Sequence, residues 1–196
     1  MVAKNSIEVE CKSLDETKAE VDGLVEPQIT EFTSIFGLPP VASDEKKPNV
    51  SASELAVPII DFAMSREGIV EKIKEAAEKW GIFQVINHGV PLTVLEEIKD
   101  GVVRFHEEDP EVKKTYFSRN FAKTFIYHNN FELYSSSAGN WRDSFGCYMA
   151  PNLPNPEEIP VACRDAMIGY SKHVMSLGGL IFELLSEALG FKLRET

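Results

Sequence analysis

The sequence predicts an α+β fold, rich in helix and with only a few short strands. Three observations carry that prediction. Long stretches place apolar residues at three- and four-residue spacing, short β-branched runs lie between them, and Gly and Pro punctuate the junctions.

Residues 1–55 are polar, are broken by Pro27, Pro39, Pro40 and Pro48, and include a stretch of linker composition, Ser43–Asn49. They read as an arm ahead of one domain at 56–196. Val57–Phe62 suits a strand, with Pro58 at its start or edge. A helix follows, because Ile69, Ile73, Ala76, Ala77 and Trp80 make one apolar stripe, and Gly81 can take the left-handed conformation that closes it. Ile82–Ile86 is a second strand. Asn87, His88 and Gly89 turn the chain, and Pro91 suits the first position of a new helix, whose buried face would be Leu92, Leu95, Ile98, Val102 and Phe105. Pro110 limits that helix. Helical period is then lost from Tyr116 to Ala150, where two strands are expected near Thr124–Tyr127 and Trp141–Tyr148. The stretch from Asn152 to Pro156 is a loop. Pro160 opens a long helix reaching Leu189, closed by Gly190 and spanning roughly 45 Å if continuous. Gly178 and Gly179 within it cost about 1 kcal/mol each against alanine, which marks either a close helix crossing or a kink, the crossing being favoured.

The 196 residues carry 31 acidic and 20 basic side chains, a formal charge of −11. That balance argues against nucleic acid or an anionic membrane as partner, since both need a basic face. The first ten residues hold no apolar stretch of secretion-signal type, and the most apolar segment, Val174–Phe191, carries Glu183 and Glu187. Cys11, Cys147 and Cys163 offer neither a disulfide frame nor a zinc-ligand spacing. A cytoplasmic protein is expected.

The block Trp80–Pro91, reading WGIFQVINHGVP, closely resembles the N-terminal signature of plant Fe(II)/2-oxoglutarate-dependent dioxygenases. The likeness continues through Arg104–Lys114, Asn130–Tyr134, Asn140–Asp143 and Met149–Pro151, and it points to the 1-aminocyclopropane-1-carboxylate oxidase homologue branch. It is looser in the arm, at Asp22–Leu24 and Ile35–Phe36. Ile82 stands where the family often has Phe, and Asn129 where Ser is usual. The resemblance implies the helix-rich N-terminal domain of such an enzyme, with the jelly roll (double-stranded β-helix) that follows it in the family absent from this chain. It implies Fe(II) and 2-oxoglutarate as cofactors, with ascorbate left open, and oxidation or hydroxylation of a small organic metabolite.

The family's iron ligands are His-x-Asp and a later His, and an Arg-x-Ser pair grips 2-oxoglutarate. Of the four histidines, His88, His128 and His173 lack the carboxylate two positions on. His106-Glu107-Glu108 has one, but residues two apart on a helix point about 200° from each other. That stretch reads as an exposed polar helix end. Ser65-Arg66 and Ser118-Arg119 have the pair reversed, and the Arg-x-Ser at Arg142-Asp143-Ser144 is not preceded by the His-x-Asp that it follows in the family. No catalytic, metal or cofactor residue is therefore assigned, and the chain reads as a fragment, inactive by itself. Ser135–Ser137 lack a glycine-flanked elbow, and no histidine is placed to activate Cys147 or Cys163. His88 reads as a turn residue whose ring bonds nearby backbone.

One segment is expected to touch substrate. If Trp141–Met149 is a strand, Trp141, Phe145, Cys147 and Met149 share one mostly apolar face, interrupted by Asp143. Arg142, Ser144, Gly146 and Tyr148 share the other. The resemblance puts this strand at the substrate mouth, so Ser144, Gly146 and Tyr148 are the substrate-binding candidates, their small members leaving room for a bulky molecule. Three readings stand open: a truncated dioxygenase, a non-enzymatic regulatory protein pairing with a full-length homologue, and a helical interaction module using the Leu92–Phe105 stripe. Lacking the family's main sheet, the chain is expected to be poorly stable and to bind hydrophobic dyes.

Overall fold

The structure, a computed structural model, describes Lys12, Glu16 and residues 56–129 and 142–191. Among these are four helices and four short strands, paired two by two. They divide into two compact units, one holding residues 56–101 and 165–191, the other 102–129 and 142–164.

In the first unit, β1 (Ile59–Asp61) and β2 (Gln84–Ile86) pair in parallel, with Ile60 opposite Val85, and α1 (Arg66–Lys79) makes the crossover. Ser65 starts that helix by accepting from the Gly68 amide at 3.3 Å, and Gly81, at φ 68°, ends it. Ile69, Ile73 and Ala76 are buried with Ile60 and with Leu184 from the distal end of the last helix, and Phe62, Phe83 and Leu180 close around them. Each fully buried Ile or Leu among them contributes about 1.5–3 kcal/mol on leaving water. The expected stripe is narrower than its sequence: Ala77 and Trp80 are exposed, because strands of three residues offer too small a sheet to cover the final helical turn. Arg66 ties the start of α1 to Glu187, its Nε donating at 3.0 Å, and to Glu183 at 3.4 Å.

The two turns that follow β1 and β2 are pinned together. Asp61 Oδ1 accepts from the Ala63 amide at 2.8 Å and from Asn87 Nδ2 at 2.6 Å, and these bonds hold its carboxyl below the usual carboxylate range. Asn87, at φ 54°, and Gly89, at φ 79°, make the turn. His88 Nδ1 accepts from the Val90 amide at 3.1 Å, the turn role the sequence indicated. α2 (Leu92–His106) starts here, with Leu92 exposed and Leu95 and Ile98 half-buried.

The second unit is built on aromatic rings. Phe105, near the end of α2, is fully buried, with ring centroids at 5.5 Å from Phe125, 5.3 Å from Tyr127 and 4.9 Å from Phe145, all edge to face. α3 (Pro110–Tyr116) is a helix that the loss of period from Tyr116 onward did not reveal. Its signal was nevertheless present: Asp109 accepts from the Glu111 amide at 2.8 Å and Pro110 takes the first turn. From it, buried Lys113 donates to the His106 carbonyl and so supplies a cation to the end of α2. The Lys113-Lys114 pair is thus half structural.

Strands β3 (Phe125–Asn129) and β4 (Asp143–Cys147) pair antiparallel, with Ile126 opposite Gly146 and His128 opposite Ser144. β3 runs two residues beyond its expected end because Asp143 and Ser144 supply partners for His128 and Asn129. A short 3-10 turn, Pro156–Glu158, precedes Ile159, whose carbonyl accepts from Arg164 Nε at 3.1 Å and Nη2 at 3.0 Å.

α4 (Arg164–Ala188) opens four residues later than Pro160; Pro160 accepts from the Arg164 amide at 2.9 Å, a first turn outside the regular helix. Gly190 closes it at φ 79°. Among the described residues no crossing is found at Gly178 and Gly179. A Cβ built at either meets none of them within 4 Å, and α4 passes through both without a break.

Candidate functional site

The β3–β4 pair presents two faces of opposite character. Period-two alternation sends Phe125, Tyr127 and Phe145 toward Phe105, where Phe125 and Phe145 stack at 5.3 Å. The alternate positions Ile126, His128, Ser144 and Gly146 point the other way and floor a cavity of about 330 Å³. Phe121, Arg142 and Tyr148 form its sides. The Phe121 and His128 rings meet edge to face at 5.9 Å. Space exists here because Gly146 has no side chain opposite Ile126; a Cβ built on it touches none of the described residues within 4 Å.

Ser144, Gly146 and Tyr148 therefore lie on one cavity wall. Trp141, assigned to the opposite face, lies outside the described residues, as do Ser135–Ser137, Asn130–Tyr134, Asn140, Cys11 and the arm other than Lys12 and Glu16. Sequence reasoning put Arg142 on the right face without assigning it to the site, and it missed Phe121, Ile126 and His128. Alternation along β3 contained the signal for Ile126 and His128. Using it required the β3–β4 register, which nothing local to either strand specifies.

Charge at the cavity is one-sided. Burial, followed by the guanidiniums of Arg119 and Arg142, lowers the His128 pKa below its ordinary 6.5, so its ring is neutral near pH 7. Arg119 is held by its Nη2 donating to the Asn129 carbonyl and to Asn129 Oδ1, each at 2.9 Å. Among the described residues no Asp or Glu lines the cavity. Burial, followed by Glu158, raises the Cys147 thiol; Glu158 accepts from Thr124 Oγ1 at 3.2 Å and lines a neighbouring hollow. Burial pushes Cys163 up to about 11. Neither thiol has the thiolate character of a nucleophile.

The described residues do not fit an iron site. His88 is committed to its turn and His128 to the cavity floor, and His173 lies on α4. His106 is half-buried, its ring 5.7 Å from Phe145 and 6.1 Å from Tyr127, so this helix end is packed rather than exposed as expected. Among the described residues no three His, Cys, Asp or Glu side chains gather where they could hold a metal ion. No helix among them is long and apolar enough to cross a membrane.

Residues 57–165 match the family model described as non-haem dioxygenase in morphine synthesis N-terminal. The chain belongs to that non-haem dioxygenase family. The 1-aminocyclopropane-1-carboxylate oxidase homolog 7 of Arabidopsis thaliana is 72% identical over 197 residues, a match covering 97% of this chain and 52% of that protein. Homolog 6 of the same plant is 64% identical, covering 93% and 52%. Among solved structures, the dioxygenase for auxin oxidation 1 of Arabidopsis thaliana, bound to 2-oxoglutarate, matches with a TM-score of 0.53 and 27% identity, over 69% of this chain and 58% of that one. JOX2 in complex with 2-oxoglutarate, iron and JA matches with a TM-score of 0.71 and 23% identity, over 89% and 50%. The chain spans about half the length of the curated relatives it matches. Family membership removes the reading of an unrelated helical interaction module. The helix-rich α+β architecture agrees with the N-terminal dioxygenase domain.

Proposed function

We propose that this chain provides the scaffold and one wall of the substrate cavity for an Fe(II)- and 2-oxoglutarate-dependent oxidation of a small organic metabolite. Ser144, Gly146 and Tyr148 are its substrate contacts, on a domain at 56–196 that follows an arm at 1–55. The observation that carries this reading is the cavity on the outer face of β3–β4, inside the segment that matches the dioxygenase family. The bound iron and 2-oxoglutarate would supply the oxidising chemistry. This chain's own residues shape the pocket and keep a polar, uncharged imidazole in its floor. Two relatives of the fold were solved with 2-oxoglutarate, one of them also with iron. The absence from this sequence of His-x-Asp supports a chain that is inactive alone. We place it in the cytoplasm.

Purified chain supplied with ferrous iron and 2-oxoglutarate is expected to release no succinate above a no-protein control, with or without candidate acids and phenols. Succinate formation that tracks protein concentration would overturn the inactive reading. Pairing with a full-length homologue has no observation among the described residues in its favour.

A further inference from the structure

Resting on the reading of the β3–β4 cavity as a substrate pocket, we infer that it takes a small organic anion, a carboxylate on a flat apolar body, with Arg142 reading the charge. Among the described residues no acidic side chain joins this lining, although the chain carries a net charge of −11, and the charged group found there is a guanidinium. Arg142 is exposed at the cavity side and forms no ion pair among the described residues, so its five N–H donors can meet an incoming carboxylate two at a time. Arg119 adds positive potential from behind Asn129 while its own donors stay engaged. Glu158 is bonded to Thr124 and lines the neighbouring hollow instead.

The remaining walls specify the body of the ligand. Phe121, Ile126 and Tyr148 are apolar and partly aromatic, and Gly146 leaves a flat place between them. At about 330 Å³ the cavity is at the small end of the ligand-pocket range of roughly 300–1,000 Å³. A one-ring or short aliphatic acid fills it. A neutral molecule of the same shape would leave the arginine with nothing to pair, and a cation would be repelled.

The test is a ¹⁹F NMR titration of the purified chain with 4-fluorophenylacetate and with the neutral 4-fluorophenylacetamide. The acid is expected to bind at least about tenfold more tightly, the ratio that one charge-assisted contact supports. Arg142→Gln is expected to reduce that preference to below about twofold while leaving the amide's affinity unchanged. Arg142→Lys retains the charge and loses the fork, and should keep part of the preference. Gly146→Trp fills the cavity and should weaken both probes. Equal binding of acid and amide, with Gly146→Trp still weakening both, would overturn the anion inference and leave the pocket reading standing. Acid binding that ignores Gly146→Trp, or no binding of either probe at millimolar concentration, would overturn both.

Discussion

His128 couples the cavity to the stability of its unit. Its folded pKa lies below the ordinary value, chiefly through burial, so the unfolded chain takes up the proton first as pH falls. The stabilisation is fully present above about pH 6.5 and is lost as pH drops from there toward the depressed folded value. Replacing His128 with Gln removes that proton uptake. The expected result is a flatter dependence of unfolding free energy on pH below about 6.5, by at most ~1.4 kcal/mol per pH unit. Urea melts at stepped pH check this, and parallel curves for the two proteins would refute it. At the same scale, the substrate-side candidates were legible because alternation along one strand is a local property. His128 was not, since its neighbours on the cavity floor are brought by pairing with a strand 14 or more positions further along the chain (Asn129 with Asp143, the closest pair).

Among the elements, those that carry their own signals were the most readable. Gly81 and Gly190 close helices where they were expected, and the Asn87–Gly89 turn takes positive φ at both ends. Tertiary context decided the rest. The Ala77 and Trp80 positions fit the helical stripe, yet the sheet is too narrow to reach them. Helix α3 escaped because seven residues are under two turns, too few to establish a period, and only its Asp-Pro-Glu start announced it. The glycine pair in α4 was read as a contact, and no described residue comes near it. That gives a direct test: Gly178→Ala and Gly179→Ala should each raise stability by roughly 0.5–1 kcal/mol, since alanine gains helix propensity and meets no neighbour. A destabilising effect in chemical denaturation of either variant would mean that a packed neighbour covers this stretch.

The whole molecule combines a strong negative charge with much uncovered apolar surface. Phe182 is 75% exposed, Leu189 73%, Leu92 67% and Ile59 61%. Isolated exposed side chains are ordinary, but this many large ones in a chain this size exceed what soluble monomers usually show. The purified chain is therefore expected to brighten Nile red, a neutral dye that the net charge of −11 does not repel, and to do so before any thermal transition. A dye-silent protein with a sharp cooperative melt would contradict this. Family and helix-rich class were legible at this scale, because WGIFQVINHGVP and the punctuation around it are unbroken in the chain.

The bond between Arg66 and Glu187 joins positions 121 residues apart, and Leu184 closes the same core around Ile60, Ile69 and Ile73. On a ribosome adding about 5–20 residues per second, the early strand and helix emerge and then wait roughly 6–24 s for the segment that seals them. Throughout that interval a two-stranded parallel ribbon with an oily underside has no lid. Nascent chains of this protein are thus natural clients for chaperones that bind at the exit tunnel, and slowing translation between these segments would lengthen the period of risk.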